Sequence, residues 1–246
     1  MRPRSLLAGL LLVLIVAVPP GAAGAQTDDV QAAFDEIMGE AYAAFRSAHW
    51  NARTGDAGSA AADMATFADL WQTLRATYGD APPPVYAGDQ AWQETLRRIA
   101  DINAESRTLA EAGNATDAFQ SIARLRAVFS RLRARNGVFG YSDHVNACID
   151  AIDLLSPYRN WDQPLSETDW RVMSEHAARI RERFRVLADA APQSLAPRID
   201  FRRALDDNHG ALDQLQAALS DRHERAAKQA IRDLRSAIGL FFLRFG

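Results

Sequence analysis

Apolar residues recur at spacings of three and four along almost the whole chain, and polar residues fill the positions between them. That period places the apolar side chains on one face of a helix, and each such face needs a partner to cover it. It predicts a first helix over about 28–53, with Phe34, Ile37, Met38, Ala41, Phe45 and Ala48 inward, broken at Thr54-Gly55-Asp56. A second helix is expected over 59–78, with Met64, Phe67, Leu70, Trp71 and Leu74 inward. The prolines at 82–84 make a stiff loop, because proline lacks an N–H and fixes its own φ. A third helix over 89–112, with Asp89 as its N-cap, carries Trp92, Leu96, Ile99, Ile102 and Leu109; a fourth over 116–135 carries Phe119, Ile122, Leu125, Phe129 and Leu132. Asn136-Gly137 reads as a helix stop.

The pattern then begins afresh. A fifth helix is expected from Ser142 to about Leu155 and a sixth over 167–190, the latter opened by Ser166-Glu167-Thr168-Asp169 as a partial capping box. The last two run over 197–219 and 222–243. No run alternates with the period of two that marks a half-buried strand. The expected fold is all-α: two tandem up-down four-helix bundles, over 26–138 and 139–246, after a segment 1–25 set apart below. A solenoid of helical hairpins is the alternative, because Gly55-Asp56 resembles two later turns. A repeat supports the tandem reading. Leu109–Arg126 lies over Ala218–Arg235, so that Ala118 meets Ala227, Ile122 meets Ile231, and Leu125-Arg126 meets Leu234-Arg235.

Residues 1–25 have the pattern of a secretory signal peptide: Arg2 and Arg4, an apolar stretch from Leu6 to Val18, then Ala23-Gly24-Ala25 before Gln26. The mature chain is therefore expected to be exported and not membrane-spanning, since no other stretch nears the ~20 apolar residues of a spanning helix. Lys228 is the only lysine; an arginine-rich composition joined to an export signal suggests a bacterial periplasm. The formal net charge of −3 falls to −5 without Arg2 and Arg4, which argues against nucleic acid as a partner. Cys148 is the single cysteine, so no intrachain disulfide can form and burial must supply the stability.

Candidate chemistry is sparse. His144 and Cys148 are four apart and Met173 and His176 three apart, so each pair could face one metal ion, though two ligands do not close a zinc site. Such residues are more often a buried hydrophobe and a surface histidine. His209 and His223 fall too far apart along their hairpin to share an ion. The chain has no Glu-x-x-His, His-Glu-x-x-His, Gly-x-Ser-x-Gly or phosphate-cradling glycine loop, and no enzyme activity is expected. Arg124, Arg131 and Arg135 share a helix face that could dock an acidic partner or a lipid headgroup; a solvated face with local pairs, such as Arg124 near Asp117, is the plainer reading. Trp50, Trp71, Trp92 and Trp170 could line a cofactor pocket but at helical spacing read as core.

A helical pair that begins at Trp92, turns at Ala112-Gly113-Asn114 and continues into the basic helix of Leu125-Arg126 resembles the cytochrome c-prime and cytochrome b562 group of periplasmic four-helix bundles. The resemblance implies a haem ligand on the closing helix. The corresponding stretches here, Arg131–Tyr141 and Ile238–Gly246, contain neither cysteine nor histidine, so a haem-free relative without covalent haem or other cofactor is expected. The functional expectation is a non-enzymatic binding or accessory protein of the periplasm, beside a redox or metal-handling system and with a periplasmic or membrane-complex protein as partner. A structural adaptor of a membrane-associated complex and a metal or small-ligand carrier are the alternatives.

Overall fold

The computed structural model describes the backbone from residue 20 and the side chains from residue 27, through to residue 246. The segment 1–25, expected from its sequence to be a signal peptide, lies outside the described residues, save for the backbone of 20–25. Among the described residues there are eight α-helices and no strand: α1 (Pro20–Arg53), α2 (Ala57–Tyr78), α3 (Trp92–Glu111), α4 (Ala115–Arg135), α5 (Tyr141–Asp153), α6 (Glu167–Asp189), α7 (Ile199–Ser220) and α8 (Glu224–Phe245). Two short 3₁₀ turns, Pro84–Tyr86 and Ser156–Asn160, sit in the proline-containing loops. None of these helices is long and apolar enough to cross a membrane.

Consecutive helices pack against one another within each set of four. Helix α1 also packs on α4, and α5 on α8, so each set closes on itself as a bundle and does not run on as an open solenoid. The sets meet chiefly along α1 and α8, and their buried residues form one continuous core. Phe242 of α8 reaches α1, with ring centroids 5.8 Å from Phe45, 5.5 Å from His49 and 6.4 Å from Tyr42. Trp71 and Trp92 are core residues whose indole N–H groups donate to the Leu96 and Tyr78 carbonyls, so neither buries an unpaired donor.

The repeated hairpin is the same turn in hydrogen-bond terms. At the end of α3, Gly113 N–H donates to Ala110 O and Asn114 N–H to Leu109 O; at the end of α7, Arg222 N–H donates to Leu219 O and His223 N–H to Ala218 O. The turn after α1 repeats it, with Gly55 N–H to Ala52 O and Asp56 N–H to Asn51 O. This is the helix stop in which the residue after the C-cap takes a positive φ. The next residue then caps the following helix, Asp56 accepting from Ser59 N–H, Asn114 from Asp117 N–H and His223 from Ala226 N–H. Gly55 and Gly113 meet the positive φ at 90° and 77°; in the third turn the position is Arg222, at 52°.

Two expected caps are placed differently. Helix α3 starts at Trp92, and Asp89 instead accepts from Ala91 N–H, from Asn136 and, through both carboxylate oxygens, from Arg135 at 2.7–2.9 Å. Helix α5 starts at Tyr141 and not at Ser142, because the Asp143 carboxylate reaches back 3.0 Å to Gly140 N–H. The capping box at Ser166 and Asp169 forms as expected, with both reciprocal bonds present.

Candidate functional site: a cationic cleft between the bundles

Four helices, α1 and α4 of the first bundle and α5 and α8 of the second, surround a partly enclosed cavity of about 130 Å³. Its walls are mostly apolar, from Phe119, Ala123, Ile149, Ile152, Ile238 and Phe242. Phe119 and Ile149 face inward on their helices yet remain only partly buried, as fits their place on the cavity wall. The polar lining is His49 and Arg53 of α1, Arg126 of α4, Arg235 of α8 and the single carboxylate of Asp153, the last residue of α5.

The charges do not balance. Asp153 Oδ1 lies 2.7 Å from Arg235 Nη1, and its Oδ2 lies 3.7 Å from Arg126 Nη2. Arg126 Nη2 also reaches Asp150 at 2.8 Å, whereas Arg126 Nη1 is buried with no hydrogen-bond partner among the described residues. Arg53 makes neither an ion pair nor a hydrogen bond among the described residues. Its guanidinium lies 5.5 Å from the Trp50 ring centroid, and burial, then Arg235 and Arg159, hold its pKa below the usual arginine value, with Asp153 opposing. Three guanidinium groups thus share two carboxylates.

Room for Arg53 comes from Gly239. A Cβ at that position of α8 would overlap Arg53 Nη1 and stand 3.0 Å from its Cζ and 3.4 Å from Trp50 Cζ3. A glycine inside a helix costs about 1 kcal/mol relative to alanine, so a packing reason is expected, and the Arg53 guanidinium is that reason. His49 lies among Phe119, Phe242 and Phe45, at centroid distances of 4.7, 5.5 and 6.2 Å. Burial, followed by the charges of Arg126, Arg53 and Arg235, depresses its pKa to about 3. It is therefore a neutral imidazole near neutral pH, and neither ring nitrogen is hydrogen-bonded among the described residues.

The residues singled out from the sequence lie elsewhere. Cys148 is fully buried in the second bundle, and burial pushes its thiol up to about 12, partly offset by Arg183, so it stays protonated. Met173 is buried in the same bundle, while His144 and His176 are partly exposed. The His176 Nδ1 is buried without a hydrogen-bond partner among the described residues, and burial and Arg179 lower its pKa against the pull of Glu175. No three His, Cys, Asp or Glu side chains among the described residues are grouped to hold a metal ion. Arg124 pairs with Glu105 of α3 at 2.7 Å and not with Asp117, which bonds Asn114 instead. Arg135 is committed to Asp89, so of the three arginines on that face only Arg131 is exposed and without an ion pair among the described residues.

The cleft residues His49, Arg53, Asp153 and Gly239 carry no local motif. The repeat did hold a signal, because the paired positions Arg126 and Arg235 are the two arginines that converge on Asp153. Comparison with protein-family models, with curated proteins and with solved structures finds no match to this chain, and nothing in those comparisons bears on the cytochrome c-prime resemblance.

Proposed function

We propose that the chain is an exported, non-enzymatic binding protein and that a small anion occupies the cleft between its bundles. The observation that carries this reading is the Arg53 guanidinium, held over Gly239 at the cavity without a counter-ion among the described residues. A partly buried cation lacking its counter-charge is costly, and a bound anion would supply the missing charge. The site suits binding better than proton transfer. An effective general acid or base has a pKa near the working pH, whereas His49 is held at about 3 and guanidinium groups do not exchange protons at neutral pH. Export rests on the N-terminal pattern of residues 1–25, and a place beside a redox or metal-handling system rests on the cytochrome c-prime resemblance. Isothermal calorimetry of the purified chain against a panel of small carboxylates and inorganic oxyanions tests the reading. Saturable binding that Arg53→Ala abolishes is expected; a panel that produces no heat and no change in Tm would overturn it.

A further inference from the structure

We infer that the anion is a monocarboxylate with a short apolar body, and not an inorganic oxyanion or a dicarboxylate. The inference rests on the cleft being an anion site, and four features of the cleft narrow the class. The first is charge. Arg126 and Arg235 are paired with Asp153 in the lining and with Asp150 outside it, which leaves Arg53 as the one arginine of the lining without an ion pair among the described residues. One unpaired cation matches one negative charge; a second charge on the ligand would find no unpaired cation and would face Asp153. The second is geometry: a guanidinium is a planar fork that takes a carboxylate through two parallel N–H donors. The third is size. About 130 Å³ is close to the roughly 150 Å³ of an apolar cavity that accepts a six-carbon ring, so about six non-hydrogen atoms fit.

The fourth is the wall. The apolar part of the lining is Phe119, Ala123, Ile149, Ile152, Ile238 and Phe242, and the neutral His49 is the only uncharged hydrogen-bonding side chain in the lining. A phosphate or sulfate would turn some of its oxygens toward this apolar wall, which cannot donate to them, and that unmet desolvation disfavours it. A hydrocarbon body meets the same wall without that penalty and gains from leaving water.

The experiment is a calorimetric comparison of butyrate, butyramide, succinate, phosphate and sulfate on the full exported chain. Butyrate is expected to bind at least tenfold more tightly than each of the others. Arg53→Ala should lower butyrate affinity at least tenfold, and Arg53→Lys, which keeps the charge but loses the fork, should fall between. Gly239→Ala provides a second route, since its Cβ displaces the guanidinium without deleting it; it too should weaken butyrate at least fivefold, with the far-ultraviolet circular dichroism unchanged. Phosphate, sulfate or succinate binding as tightly as butyrate, in an Arg53-dependent way, overturns the carboxylate inference while leaving an anion site. Butyramide matching butyrate removes the charge argument and overturns it as well. No binding by any of the five overturns both this inference and the function on which it rests.

Discussion

Replacing Arg222 by glycine should stabilise the protein, and the comparison with Arg222→Ala isolates the cause. Arg222 holds a φ of 52° at a turn position that its two counterparts fill with Gly55 and Gly113. A residue with a Cβ pays roughly 1–2 kcal/mol for that left-handed conformation, and glycine does not. Glycine loses more freedom on folding, about 0.5–1 kcal/mol. The Arg222 guanidinium also pairs with Glu167 at the start of α6, but both side chains are more than half exposed, so that pair contributes a few tenths of a kcal/mol. The backbone bonds from residues 222 and 223 to Leu219 and Ala218 survive any side chain. The net gain for Arg222→Gly is therefore about 0.5 kcal/mol, a rise of about 1–2 °C in Tm for a chain of this size. Arg222→Ala loses the ion pair but keeps the strain, so Gly should exceed Ala by about 1 kcal/mol at this position. Urea unfolding followed by circular dichroism measures both. An alanine variant as stable as the glycine variant would refute the reasoning, because the turn would then make no demand for a positive φ.

Three further outcomes are expected. The depressed pKa of His49 means that the unfolded chain binds a proton more readily than the native one between pH 6.5 and about 3. Stability should thus fall as pH drops below 6.5, by up to ~1.4 kcal/mol per unit; His176, also depressed, acts in the same direction. Urea midpoints from pH 7 to 5 should fall more steeply for wild type than for His49→Gln, and equal slopes would contradict this assignment. Asp153→Asn should cost about 1 kcal/mol, since Asp153 is two-fifths exposed, yet tighten anion binding severalfold by leaving Arg126 and Arg235 less neutralised; calorimetry showing weaker binding would count against the cationic cleft. Phe242→Ala should cost about 3–5 kcal/mol in chemical denaturation, because this buried ring joins α8 to α1, whereas Phe139→Ala, at 77 % exposure, should stay within about 0.5 kcal/mol.

The helices were legible because their apolar residues serve a local rule. A residue three or four positions from Phe45 or Leu125 must share its face, whatever the partner helix is. Asp89 shows where that rule ends. Before a helix it reads as a cap, but Arg135 and Asn136, more than forty residues later, draw its carboxylate away. The α5 start failed on a shorter scale, since Ser142 and Asp143 are both capable caps and only the fold of Gly140 decides between them. The cleft was less accessible still. Arg53 looks like any basic residue at a helix end, and its meaning depends on Gly239 lying against it 186 positions away. Arg126 and Arg235 stood out as a matched pair in the repeat, but their shared Asp153 belongs to a helix outside the repeated hairpin.

The fit between Arg53 and Gly239 also bears on stoichiometry. Extending the repeat past its matched segment brings Ser130 of α4 opposite Gly239 of α8. Where Gly239 opens a space against α1, Ser130 fills the corresponding place against α5, with its hydroxyl 3.2 Å from the Asn146 amide. Two related halves therefore meet through unlike crossings, one built around a guanidinium and one around a neutral hydroxyl–amide contact. Among the described residues, doubling the hairpin has not doubled the receptacle: the proposed ligand would meet one such cradle, and neither half alone contains it.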